Sequence, residues 1–270
     1  MGTLRFVLAL SVVLAHVGVA APVTGQIAVQ VFFVISGFYM ALVLDGRYTD
    51  KWTFWTNRLL RLFPGYFLIA GLSAMWLWKN YPPYFDAVGW FDGITNIVIV
   101  GQDVSVFNGS QSMLLPQAWS LALELYFYAL APWIVKLRTR TLLAIIGASF
   151  VARAVSYVYG LDHDPWTYRF FPFEVAFFLI GVLIHRTGLV PPTGSDKMLG
   201  ELSYPIYINH IFIARMIHDP ALVVLASIAL AIVMVFAVER PLDRLRTRRR
   251  ERADRSRQRG LIDGAPSIAQ

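Results

Sequence analysis

Arg5 and His16 stand eleven positions apart in LRFVLALSVVLAHVG. At about 100° per residue that spacing overshoots three full turns by roughly 20°, so one helical stripe carries both, roughly 16 Å apart along the axis. An ionisable group inside an apolar span is costly unless paired or hydrated, which makes each such residue a functional candidate. The plainer readings are a snorkelling topology anchor for Arg5 and an interhelical hydrogen bond for His16. FWTNRLLRLFPGYF sets Arg58 and Arg61 at i, i+3 on one helix face, and Pro64 marks a kink or a helix start. Two adjacent guanidinium groups suit a phosphate-bearing ligand, and equally lipid headgroups. In AWSLALELYFYALAP, Glu124 lies at a depth matching that of His16, slightly beyond the midplane. A buried carboxylate and imidazole at one depth suit acid–base work, although Glu124 could instead pair with Arg153. In LGELSYPIYINHIFI, Ser203, Tyr207 and His210 follow at i, i+4, i+7 with Tyr204 and Asn209 beside them. That stripe faces either a hydrated cavity or core hydrogen bonds. His163, His185 and His218 fall in loops or at span ends and are assigned no role. The scattered His and Glu lack metal-ligand spacing, and no HExxH, GxSxG, phosphate-loop or dinucleotide motif occurs, so no metal site is expected.

Such groups need elements that hold them inside an apolar medium. Hydrophobic residues make up 57% of the 270-residue chain, charged residues 15%, and mean hydropathy is +0.55. That balance cannot clothe a soluble surface, which excludes soluble, disordered and collagenous classes. With no Cys there is neither a disulfide framework nor thiolate chemistry. Runs of about 20 apolar residues predict an all-α integral membrane protein with about eight transmembrane helices, at 4–21, 27–45, 62–79, 118–136, 141–158, 170–185, 198–215 and 221–239. The first is read as a retained helix rather than a cleavable signal, because His16 interrupts it and no convincing small-residue cleavage site follows. Twenty Lys and Arg fall on the side of the loops after spans two, four and six, and three on the other side. Positive charge stays inside, so both termini are expected in the cytoplasm. The segment 80–117 is expected to be an outer loop, either plain or with an interfacial or re-entrant piece at 94–101. The chain divides into a transmembrane domain, 1–239, and a basic tail, 240–270, with ten Arg against four acids. The tail reads as topology signal that is largely disordered and meets anionic inner-leaflet lipid; nucleic acid is not expected as a partner.

Six blocks in order (LRFVLALSVVLAHVG, VFFVISGFYMA, FWTNRLLRLFPGYF, QAWSLALELYFYALAP, LGELSYPIYINHIFI and VERPLDR) resemble the signature blocks of the acyltransferase-3 family of bacterial membrane acyltransferases. About 60 residues separate the Ala-Pro at 131–132 from Leu199, fewer than is usual there, so the chain resembles a shortened member. The resemblance implies transfer of an acyl group, commonly acetyl, from cytoplasmic acyl-CoA to a hydroxyl of an extracytoplasmic glycan, glycolipid or other small acceptor. It places Arg5 and His16 on the family's Arg-x10-His motif, Arg58 and Arg61 on its inner-face Arg pair, and Ser36, Gly37 and Phe38 on an SGF turn. Glu124 follows Trp119 and Ser120 in the Trp-Ser block, His210 follows the Ser-Tyr, and Glu239 and Pro241 match the last block.

Together these expectations make His16 the general base on the acceptor hydroxyl, oriented by Glu124, or alternatively an acyl-imidazole relay. Arg5, Arg58 and Arg61 hold the phosphates of acyl-CoA, a co-substrate with no bound cofactor beside it. Ser36, Gly37, Trp119, Ser203, Tyr207 and His210 line the site, with Ser36, Tyr207 or an amide near Gly37 as oxyanion donor. The expected location is the inner membrane, multi-pass. Two other classes compete: a proton-coupled transporter, which usually shows a repeat that is not detected here, and a non-catalytic relative of the acyltransferases.

Overall fold

The computed structural model describes residues 1–46, 50–108, 112–166, 168–189, 196–249 and 251. In chain order the helices are α1 (Gly2–His16), α2 (Gly25–Gly46), α3 (Lys51–Asn80), α4 (Pro83–Asp86), α5 (Trp90–Val98), α6 (Trp119–Ile134), α7 (Thr139–Val158), α8 (Phe171–Arg186), α9 (Lys197–Met216) and α10 (Pro220–Met234). The described residues form no strand. All but α4 and α5 overlap the eight expected spans. Four, in α2, α3, α7 and the α10 region, are long and apolar enough by length and composition to cross a membrane, and α1 is a shorter apolar helix.

Capping explains where several helices start. Asp50 accepts a hydrogen bond from the Thr53 amide at 2.7 Å and begins α3, which therefore opens well before the expected span. That bond holds the Asp50 carboxyl below its ordinary range. Pro64 lies in the interior of α3, not at its start, because the cap at Asp50 already provides the start. Asp219 caps α10 through the Leu222 amide at 2.9 Å, with Pro220 in the first turn, where a missing N–H costs nothing. A single π turn, Val235–Glu239, follows α10, and helix continues across the expected domain boundary through Arg249.

Close approaches set the packing. Asp196 accepts from the Thr3 amide and the α-amino group, both at 3.1 Å, and from the Thr3 hydroxyl at 3.3 Å. It thereby ties the start of α1 to the start of α9, and these contacts hold its carboxyl at about 2. α2 and α8 cross backbone to backbone: a Cβ on Gly37 would lie 1.9 Å from the Phe178 carbonyl, and one on Gly181 2.0 Å from the Val34 carbonyl. Ser36, Gly37 and Phe38 are thus mid-helix rather than a turn, and Gly37 is a contact point rather than a free amide. Phe178 stacks between Phe33 and Phe127, at ring separations of 4.6 and 4.2 Å. Arg153 pairs with the fully buried Glu174 at 2.6 Å and so joins α7 to α8 rather than meeting Glu124.

The segment after α3 is a folded cap. Asn96 donates to the Ser112 carbonyl and accepts from the Leu114 amide, both at 2.9 Å. Tyr66 donates to the Asn96 carbonyl at 2.7 Å, and Gln102 donates to the Tyr66 hydroxyl at 3.0 Å. α5 buries its polar residues Asp92, Thr95 and Asn96 and exposes Trp90, Ile94 and Ile97. Polar side inward and apolar side outward is the arrangement of a piece lying at the membrane interface.

Candidate active site

Five helices meet around a cavity of about 80 Å³. α1 contributes Arg5, α2 contributes Ser36 and Tyr39, and α3 contributes Arg61. α6 brings Ser120, Glu124 and Tyr128, and α9 brings Ser203, Tyr204 and Tyr207. The four α6 lining residues, at 120, 121, 124 and 128, repeat at helical spacing, as do 203, 204 and 207 on α9, so each helix turns one stripe inward. Glu124 accepts a hydrogen bond from Ser36 Oγ at 2.9 Å and another from the Tyr128 hydroxyl one turn along α6. The carboxylate is thereby tied to both α2 and its own helix.

The two cavity arginines are differently placed. Among the described residues, no ion pair joins Arg5 or Arg61 to a carboxylate, although both lie in the field of Glu124 and Tyr128. Arg61 also faces Glu239, whose Oε1 is buried without a partner and would lie 3.3 Å from a Cβ on Gly65. Half-buried guanidinium groups that no carboxylate pairs among the described residues are well suited to an incoming anion or polarised carbonyl. Arg58 is not on the cavity wall. It is buried, its guanidinium lies 5.6 Å from the Phe54 ring centre, and its Nε has no partner.

The histidines form a second group, beyond the α9 end of the cavity. His16 is the last residue of α1, lies open to its surroundings, and its ring centre is 4.9 Å from that of the fully buried His210. Its Nδ1 meets the Val12 carbonyl at 2.8 Å, and His210 Nδ1 meets the Tyr207 carbonyl at 2.7 Å. A carbonyl only accepts, so in each ring Nδ1 carries a proton, and the neutral form of the ring keeps its lone pair on Nε2. His210 Nε2 has no hydrogen-bond partner among the described residues. Neither ring lines the cavity, and the expected Glu124–His16 pairing is not formed, because equal depth left the rotation of α1 and α6 unspecified. Trp119 also lies off the cavity, edge-on to Tyr168 at 5.0 Å and beneath Arg169.

A roomier pocket of about 470 Å³ lies between the ends of α2, α6 and α8, lined by Asp45, Lys136, His185 and Arg186. Its basic groups serve the helix ends. Arg186 donates to the Val135 carbonyl at 3.0 Å, the Leu137 carbonyl at 2.6 Å and Thr139 Oγ1 at 2.9 Å, while His185 meets Asp45 at 3.3 Å. Three C-termini aim the negative ends of their dipoles there, which disfavours an anion. Among the described residues no group of three or more His, Cys, Asp or Glu is placed to hold a metal ion.

Comparison with known proteins decides what this arrangement belongs to. The family model described as an acyltransferase domain, acyltransferase-3, matches residues 2–194. The chain belongs to the acyltransferase-3 family. The match takes in α1 to α8, including Arg5, His16, Ser36, Arg58, Arg61 and Glu124, and stops before α9. A provisionally named O-acetyltransferase of Staphylococcus aureus (strain COL) is 27% identical over 179 residues, 60% of this chain and 30% of that protein. O-acetyltransferase OatA of S. aureus (strain NCTC 8325 / PS 47) is 28% identical over 142 residues, 49% of this chain and 24% of that protein. The matched region is thus under a third of the length of these curated relatives. No solved structure gives a significant match.

Tyr39 and Tyr128 are cavity residues without a signal strong enough to single them out in the sequence, Ser120 was named only as part of the Trp-Ser block, and Glu174 is a buried ion-pair partner that was missed. Tyr128 had a weak signal: it stands at i+4 from Glu124 in ELYFY. Glu174 had none, because its partner Arg153 lies on another helix.

Proposed function

We propose that the protein is a multi-pass inner-membrane O-acyltransferase that moves an acyl group, commonly acetyl, from cytoplasmic acyl-CoA to a hydroxyl of an extracytoplasmic glycan, glycolipid or other small acceptor. The observation that carries this reading is the cavity that holds two guanidinium groups, Arg5 and Arg61, that no carboxylate pairs among the described residues, with Glu124 between α2 and α6. Family membership and the O-acetyltransferase names of the relatives support the chemistry. In this reading all eight long helices span the bilayer, both termini are cytoplasmic, and α4, α5 and the following loop lie on the outer face.

The donor enters from the cytoplasmic side and its acyl thioester lies in the cavity. Arg5 and Arg61 donate charge-assisted hydrogen bonds to it, and Arg58, one turn closer to the cytoplasm, supplies a further guanidinium for the CoA phosphates. His16 Nε2 takes the proton of the acceptor hydroxyl as the oxygen attacks the thioester carbon. The C–S bond then breaks, and the thiolate recovers that proton to leave as free CoA. Positive charge from Arg5 and Arg61 offsets the charge that develops on the carbonyl oxygen. Glu124, held by Ser36 and Tyr128, keeps the wall of the cavity in place.

The test is release of free CoA by the purified protein in lipid nanodiscs supplied with acetyl-CoA. Release that depends on adding a hydroxyl acceptor, with the acyl group recovered on it, is the expected result. Tight acetyl-CoA binding with no acyl product from a broad acceptor panel would overturn the reading in favour of a non-catalytic relative.

A further inference from the structure

The cavity and the imidazole pair belong to one proposed reaction, yet they do not touch, and what lies between them is specific. Tyr207 is the last cavity residue along α9, and His210 follows one turn on without reaching the wall. Ser120 is the first cavity residue along α6, and Gln117 before it does not reach the wall. These two end residues meet: Ser120 Oγ lies 2.6 Å from the Tyr207 hydroxyl, which also donates to the Gln117 carbonyl at 2.9 Å. Gln117 returns the contact, its Nε2 donating to the Ile208 carbonyl at 2.7 Å. Phe32 of α2, itself on the cavity wall, approaches the Tyr207 ring to 6.4 Å. The Tyr207 ring centre lies 5.9 Å from that of His210, which lies 4.9 Å from that of His16, and neither imidazole reaches the cavity wall.

We propose that the Tyr207–Ser120 bridge is the partition between a donor-side cavity and the outer imidazole pair, and that it opens for an acyl group to reach His16. Its construction suits both duties. Fixed by a few neutral hydrogen bonds, it is held when closed, and because each such bond is individually weak, opening stays within thermal reach. A tyrosine that turns aside also presents a hydroxyl to whatever replaces it. The passage of the acyl group rests on the acyltransferase reading; the partition itself rests on geometry alone.

Sidedness of access separates the two. The chain contains no cysteine, so Tyr39→Cys places a single thiol on the cavity wall. In proteoliposomes of fixed orientation, a membrane-impermeant anionic methanethiosulfonate, matched to a cavity with two guanidinium groups, should modify it from the α1 N-terminal side only. Adding Tyr207→Phe keeps the ring and removes the hydroxyl's bonds, and should raise labelling from the opposite side about tenfold. Adding Tyr207→Ala should make the two sides comparable. Should that protein fail to accumulate, Tyr207→Phe combined with Ser120→Ala serves in its place. Labelling from both sides with Tyr207 intact, or one-sided labelling in every Tyr207 variant, overturns the partition. Because no acyl donor is used, absent acyl transfer leaves this result standing, and an active enzyme with an unmoved labelling pattern condemns the partition alone.

Discussion

His16 and Arg61 do different work in the proposed reaction, and their replacement should separate it. His16 is open at the end of α1 with its Nε2 as the lone-pair nitrogen, so His16→Ala removes the base and little packing. Acyl transfer should fall at least about a hundredfold, the range of general-base contributions, while membrane insertion and acyl-CoA binding stay normal. Turnover at the wild-type rate would remove His16 from the mechanism. Arg61 lies on the cavity wall, where a lost charge-assisted bond costs about 1.5–3 kcal/mol, roughly ten- to a hundredfold. Arg61→Ala should therefore raise the KM for acyl-CoA by that factor and leave the KM for the acceptor nearly unchanged. Arg58→Ala, by contrast, removes a buried side chain packed on Phe54, so part of its effect should appear as lower protein yield. Equal kinetic profiles for the two arginine variants would show that both contact the donor alike.

Two helix contacts make predictions at the level of elements. Gly37 lies at the crossing of α2 and α8, where a Cβ would collide with the Phe178 carbonyl, a backbone atom that cannot step aside. Gly37→Ala should destabilise the protein by about 1–3 kcal/mol, the range for overpacking a filled interior. Gly71→Ala on α3, with nothing within 4 Å of the added carbon, is the matched control and should be near neutral in a thermal-unfolding assay. Asp196 joins the start of α1 to that of α9, and its carboxyl is held at about 2 against an ordinary 3.8. A depressed carboxyl contributes stability above its unfolded value and loses it as pH falls toward its folded value. The difference in unfolding midpoint between wild type and Asp196→Ala should thus be flat above about pH 4 and vanish near pH 2. A difference that instead grew on acidification would mean the α1–α9 contact does not depend on the ionised carboxyl.

For the molecule as a whole, the eight-span arrangement is tested by single cysteines in the cysteine-free chain. Thr139→Cys, at the start of α7, should react with an impermeant maleimide only from the cytoplasm. Phe107→Cys and Asp162→Cys, in the segments after α5 and α7, should react only from outside. Asp162 and Thr139 labelled from one side would mean that α7 does not cross. The cap formed by 83–108 and 112–118 adds a second whole-molecule feature. Its buried amide and hydroxyl bonds tie α3, α5 and the Ser112–Leu114 stretch before α6 into one surface, and Arg215 of α9 joins it by donating to the Leu114 carbonyl at 2.7 Å.

Composition and hydropathy runs were enough to indicate an all-helical membrane protein and the approximate places of eight of its helices, though not the early start of α3, because apolar length is a property of the chain alone. Periodicity within one helix was equally legible: the Ser203–Tyr207–His210 stripe lies on the buried face of α9, with two members on the cavity wall. What no single helix states is its rotation against its neighbours. That rotation separated Arg58 from Arg61, took Glu124 to Ser36 and Tyr128 rather than His16, and brought His210 against His16 across α1 and α9. It also gave Arg153 a partner in Glu174, 21 positions away. Depth follows from counting residues at a fixed rise, whereas rotation follows from which side chains interlock and how closely two backbones approach. The glycines at 37 and 181, and the carboxylate at 196, make those choices only once the helices they join lie side by side.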